Sequence, residues 1–175
     1  MNTFAAEQRS GFESVLTASD LDQKIPDGAD LYGWLVGSWE LEVKHYWVDV
    51  RGRGLKGQAH FSRVLQGRAV QDVWIIPAVD SAGPSSYGTT LRVWDAALKA
   101  WRVTWVNPVT GVRNELIGRR VGNDIVQIGS HADGTPIRWT FTEISDGSFV
   151  WKGEALNEDG QSWTLQGEFL AKRIR

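Results

Sequence analysis

Pro136 to Lys172 reads PIRWTFTEISDGSFVWKGEALNEDGQSWTLQGEFLAK, three apolar runs separated by Ser145-Asp146-Gly147 and Glu158-Asp159-Gly160. Side chains alternate across a strand. Ile137, Trp139 and Phe141 therefore share one face of their run, as do Phe149, Trp151 and Ala155 of theirs, and Trp163, Leu165 and Phe169 of the last. Three-residue loops with glycine in the left-handed position bring Phe141 opposite Trp151 and Phe149 opposite Phe169, and the three faces become one aromatic wall. Two-residue turns would send the same rings to opposite faces, so the hydrophobic pattern favours the longer loops.

The same rhythm extends back to about residue 35. Runs rich in Val, Ile, Thr, Phe and Trp predict ten strands at 37–50, 55–65, 69–77, 87–95, 100–107, 113–119, 124–130, 136–144, 148–156 and 161–172. Every connector is short except 78–86 (AVDSAGPSS), which makes the neighbours antiparallel and the topology a meander. Ten strands in one sheet must hide their edges. Closure into an up-and-down barrel does so, whereas a two-sheet sandwich needs crossovers that only one connector is long enough to supply. Residues 1–30 read differently, as an extension that is partly helical or disordered, ahead of a barrel domain over 31–175. Phe4, Phe12, Val15 and Leu16 have loose helical spacing, Pro26-Asp27-Gly28 is a break, and Asp30 can cap a turn carrying Leu31, Trp34 and Leu35 that plugs the barrel end.

Composition narrows the function classes. The chain has 175 residues, enough to bury roughly 70% of its unfolded surface in one domain. With no cysteine, it has no disulfide, thiolate nucleophile, iron–sulfur cluster or cysteine-based zinc site. Nineteen basic against 21 acidic residues leave no field for a phosphate backbone, so no nucleic-acid partner is expected. The N-terminus lacks the basic and apolar regions of a signal segment, and no apolar run approaches the roughly 18 residues of a membrane span. The reading is a cytoplasmic protein without a membrane partner. Ten tryptophans, at 34, 39, 47, 74, 94, 101, 105, 139, 151 and 163, are the unusual feature.

Gly37-Ser38-Trp39 heads the first long strand, within LVGSWELEV at Leu35–Val43, and FSRVLQGRAVQDVW follows at Phe61–Trp74. These phrases resemble the G-x-W signature of the lipocalin and calycin superfamily and, more closely, the bacterial lipocalin-like proteins of unknown function, over roughly residues 31–175. The resemblance implies that Trp39 sits at the closed end of a barrel with a late basic residue across its ring. Arg173 is the first candidate for that structural latch with Gly37 and Trp39, and Lys172 and Arg175 are its rivals; such stacking contributes about 0.5–2 kcal/mol. The chain departs from secreted lipocalins in lacking their later motifs and disulfides. It also lacks the further glycines of haem-binding relatives, and its last histidine, His131, lies beside the turn Asp133-Gly134. No haem or other cofactor is expected.

Polar candidates follow from strand parity. If Trp39 faces inward, so do Leu41, Val43, His45, Trp47 and Asp49, and His45 is either a satisfied core histidine or a ligand-binding group and general base. In the hairpin around Gln66-Gly67, a two-residue turn pairs Phe61 with Asp72 and Arg63 with Val70, setting Arg63 diagonal to Asp72 as a mutually satisfied pair that fixes register or orients a ligand; a three-residue turn would place Gln71 beside Phe61 instead. Glu115 has no second acid in view for glycosidase chemistry. His45, His60 and His131 lack metal-ligand spacing, so no metal is expected, and Arg51-Gly52-Arg53-Gly54 is a turn rather than a phosphate loop.

The leading expectation is binding of a small hydrophobic or aromatic molecule in the barrel cavity by His45, Trp47, Arg63, Asp72, Trp74, Trp139 and Trp151. One alternative is an isomerase, cyclase or hydratase on the same barrel, with His45 or Asp72 as catalytic acid or base. Another is a homo-oligomeric interaction module, such as a homodimer.

Overall fold

A computed structural model describes residues 11–78 and 86–175. The long connector and the first ten residues of the extension, Phe4 among them, therefore lie largely outside the described residues. Twelve strands form one antiparallel sheet: β1 (Thr17–Ala18), β2 (Gly37–Tyr46), β3 (Val48–Asp49), β4 (Lys56–Val64), β5 (Ala69–Ile76), β6 (Ser86–Asp95), β7 (Ala100–Asn107), β8 (Val112–Val121), β9 (Asp124–Ser130), β10 (Pro136–Thr142), β11 (Ser148–Leu156) and β12 (Trp163–Arg173). Each long strand pairs with its sequence neighbours, and β12 returns to β2, which also pairs with β4 from Gly37↔Phe61 to Glu42↔Lys56. The result is a closed ten-stranded up-and-down barrel. Closure leaves no long edge unpaired. Among the described residues no helix is long and apolar enough to cross a membrane.

One end of the barrel is plugged. After the short helix α1 (Gly11–Leu16), β1 pairs with β4, and Ile25, Leu31, Tyr32 and Leu35 are buried in the core. Asp30 Oδ1 accepts the Gly33 N–H at 2.9 Å and so starts the single 3-10 turn Gly33–Leu35. That turn and the residue before it pack their rings edge-on against the barrel: Trp34 meets Trp39, Phe141 and Phe149, and Tyr32 meets Trp101. Such contacts add about 0.5–1.5 kcal/mol each beyond area burial.

Two one-residue irregularities correct the inward-facing sets read from strict alternation. On β2, His45 pairs with Glu168 but Val43 pairs with Phe169, so Lys44 is an extra residue. Parity flips there: Tyr46 turns inward against Phe169, His45 turns away, and Asp49 folds back in β3 opposite His45. The strand expected over 37–50 thus ends at Tyr46, because Trp47 takes a left-handed φ of 60°. On β12 the pairing jumps from Glu154↔Leu165 to Gly153↔Gly167, making Gln166 the extra residue.

That second bulge also revises the last hairpin. Phe141 lies opposite Trp151, but Phe149 pairs with Ala171 and it is Trp151 that faces Phe169, stacked at 5.2 Å. The β11–β12 connection is longer than three residues, closing with Asn157 N–H donating to Ser162 O, and this puts Trp163 opposite Leu156 on the outer surface. There Arg138 covers the Trp163 ring at 4.4 Å. The Gln166 bulge then restores the inward parity of Phe169 and Ala171. Between β10 and β11 the left-handed residue is Glu143 (φ 51°) rather than Gly147.

Candidate functional site

The interior divides in two. Toward the plug it is solid, with Trp39, Leu41, Trp101, Phe141 and Phe149 at 0% exposure. Toward the other end it holds a cavity of about 720 Å³, within the roughly 300–1,000 Å³ of small-molecule sites. Its walls are Trp47, Trp74, Trp105, Trp139 and Trp151 together with Tyr46 and Phe169. The ring contacts run continuously: Trp105 on Trp139 at 6.4 Å, Trp139 on Trp151 at 5.7 Å, Trp151 on Trp74 at 5.7 Å and Trp74 on Phe61 at 6.0 Å. Gly153 and Gly167 sit beneath Trp151, where a Cβ would come within 2.6 and 3.0 Å of its ring. Lack of side chains there is what lets that indole lie along the wall.

The tryptophans therefore fall into groups. Five line the cavity. Trp34, Trp39, Trp94 and Trp101 belong to the packed half, and three of their indole N–H groups donate to carbonyls of the plug: Trp34 to Leu31 O, Trp39 to Leu35 O and Trp101 to Ala29 O, each at 2.7 Å. Trp163 is outside. At the packed end Arg173 lies 4.1 Å over the Trp39 ring and donates to the carbonyls of Asp146, Val36 and Trp34. Gly37 has a φ of +126°, and a Cβ on it would meet Arg173 Nη1 at 2.9 Å. Arg173, and not Lys172 or Arg175, makes this contact; Lys172 pairs across to Glu40 in the β12–β2 ladder.

The three polar residues singled out from sequence do not converge. His45 is not among the cavity-lining residues, and its Nε2 is buried without a partner among the described residues. The hairpin register is the one a short turn gives, Phe61↔Asp72 and Arg63↔Val70, yet Arg63 pairs with Asp30 of the plug at 2.6 Å instead of with Asp72. Asp72 is taken by Arg92 of β6, Nη1 to Oδ2 at 2.6 Å, and its Oδ1 accepts the Thr90 N–H at 2.7 Å. Sequence alone could not choose between the two arginines, since Arg92 lies on the far neighbour of β5.

Arg92 forms the floor of the cavity. Its side chain is 2% exposed and its guanidinium lies 5.0 Å from the Tyr32 ring, 5.7 Å from Phe61 and 5.8 Å from Phe141. Burial, reinforced by Asp72 and opposed by Arg92, pushes the Tyr32 phenol far above its ordinary range, so Tyr32 is a neutral donor, to Gln127 Oε1 at 3.2 Å. The floor is thus polar but charge-balanced.

Above it, toward the mouth, lies a polar group that strand counting missed. Asn114 of β8, His131 after β9 and Gln166 of β12 all line the cavity, with His131 Nδ1 3.4 Å from Asn114 Oδ1 and Nε2 3.2 Å from Gln166 Oε1. Gln166 reaches inward because it is the bulged residue, and its backbone carbonyl also accepts the Trp47 N–H at 2.7 Å. Beside them Asp133 is held below the usual carboxylate range, first by the Thr135 backbone N–H. Among the described residues no cluster of three or more His, Asp or Glu is placed to hold a metal ion. No protein-family model matches the chain, and no curated protein sequence matches it.

Proposed function

We propose that this protein is a calycin-like barrel of the lipocalin type that binds one small, largely apolar, ring-bearing molecule in its cavity. One observation carries the reading: five of the ten tryptophans surround open space, while Trp34, Trp39, Trp94 and Trp101 fill the packed half. Rigid aromatic walls bury a flat guest with little loss of side-chain freedom, and a guest that removes about 200 Å² of apolar surface from water gains on the order of 5 kcal/mol before the cost of association. The G-x-W tryptophan at the plugged end, with Arg173 across it, supports the calycin assignment.

Catalysis is the weaker alternative on this geometry, because His45, Arg63 and Asp72 do not share the cavity. Tryptophan fluorescence titrated with a panel of uncharged aromatic and polycyclic compounds tests the binding reading. Saturable quenching at one-to-one stoichiometry by at least one member supports it, and a flat response across the panel refutes it.

A further inference from the structure

Asn114 is 4% exposed, yet its side-chain nitrogen has no partner among the described residues and stays open to the cavity that it lines. The side-chain nitrogen of Gln166 is likewise unpartnered among them. Buried polar groups are normally satisfied, so the buried Asn114 carboxamide, with spare hydrogen-bonding capacity beside the half-buried Gln166 in one cavity, points to a partner that is not protein. His131 between them sets what they offer. A neutral imidazole has one N–H and one lone pair, so one carboxamide gives it an oxygen and keeps its N–H2 for the cavity, while the other gives it N–H2 and keeps its oxygen. A charged imidazolium takes both oxygens and leaves both N–H2 groups. In either state at least one N–H2 donor faces the cavity.

Charge is the second constraint. Arg92 is matched by Asp72, and Arg113 at the rim by Glu115, and the remaining charged carboxylate at the rim is Asp133. With His131 neutral, a buried carboxylate on the guest would find no uncompensated cation among the described lining residues, and with His131 charged the neighbouring Asp133 already supplies its countercharge.

Resting on the binding reading above, we infer that the ligand is an uncharged aromatic molecule whose hydroxyl or carbonyl oxygen is held by the Asn114–His131–Gln166 group, with its rings against Trp139 and Trp151. The test uses three probes with one carbon skeleton, 2-naphthol, naphthalene and 2-naphthoate, titrated against the tryptophan fluorescence of the full chain. One net hydrogen bond makes 2-naphthol about threefold to tenfold tighter than naphthalene, and the uncompensated charge makes 2-naphthoate more than about tenfold weaker than 2-naphthol. In Asn114→Leu and in Gln166→Leu the advantage of 2-naphthol shrinks while naphthalene affinity is retained. Equal affinity for 2-naphthol and naphthalene in the unaltered chain overturns the inference without need of any variant, and leaves the cavity reading standing. So does an advantage that survives both substitutions. Failure of all three probes to bind overturns both.

Discussion

Replacing Asp72 with asparagine isolates a charge inside the barrel. The carboxylate is fully buried and gives one oxygen to Arg92 at 2.6 Å and the other to the Thr90 N–H at 2.7 Å. The carboxamide keeps the shape and an acceptor for Thr90, but its N–H2 then faces Arg92, so Asp72→Asn removes both the countercharge and the acceptor of a guanidinium packed among Tyr32, Phe61 and Phe141. Breaking a buried pair from one side costs about 3–5 kcal/mol, which for a chain of this size lowers Tm by about 6–20 °C. Removing both charges is different: Asp72→Asn with Arg92→Met keeps an acceptor for the Thr90 N–H and leaves no unpaired ion, and its stability lies above that of either single variant and within about 2 kcal/mol of the unaltered chain. Equilibrium urea unfolding of Asp72→Asn, Arg92→Met and the double variant measures the coupling directly. A cost below about 1 kcal/mol for Asp72→Asn, or a double variant as unstable as the single ones, refutes the claim that the floor is a dry, charge-balanced pair.

Arg173→Ala loses the stack on Trp39 and three bonds to backbone carbonyls, which sum to about 2–4 kcal/mol in denaturant unfolding, and lysine, which cannot span the three, recovers less than half. Tyr32 is raised above its ordinary value near 10, so its contribution to stability is complete below that pH and is lost as the pH climbs beyond it; one of the three tyrosines should stay un-ionised in alkaline titration until the chain unfolds, and Tyr32→Phe should abolish that late step. Trp47 is 60% exposed and left-handed, a conformation asparagine adopts more easily, so Trp47→Asn should gain up to about 1 kcal/mol in stability while weakening quenching by cavity ligands; a loss of stability would show that the ring is a packing element and not a mouth residue.

The barrel was legible because period-two alternation and turn residues recur along the whole chain: all ten long strands lie where those patterns place them, and the register Phe141↔Trp151 follows from counting through one turn. The errors of facing share a cause. A bulge inserts one residue without changing local composition, so nothing near Lys44 or Gln166 announces the parity flip that turned His45 out and Gln166 in. Trp47 still reaches the cavity, by way of its left-handed backbone rather than strand alternation. The partner of Asp72 was hidden for another reason. Two arginines stand at suitable registers on the two neighbours of β5, and the plug residue Asp30 draws Arg63 away. Asn114 and His131 carry no motif at all; only closure of the sheet brings β8, the β9–β10 turn and β12 around one space.

The indole N–H resonances of the ten tryptophans report most directly on whether that space is the binding site. A nitrogen–proton correlation spectrum recorded during titration with 2-naphthol should move the signals of Trp74, Trp105, Trp139 and Trp151 together, to saturation at one equivalent. Those of Trp34, Trp39 and Trp101, held by carbonyls of the plug, should stay in place. Movement confined to the plug tryptophans or to Trp163, or signals that drift without saturating, would contradict the assignment of the cavity as the ligand site.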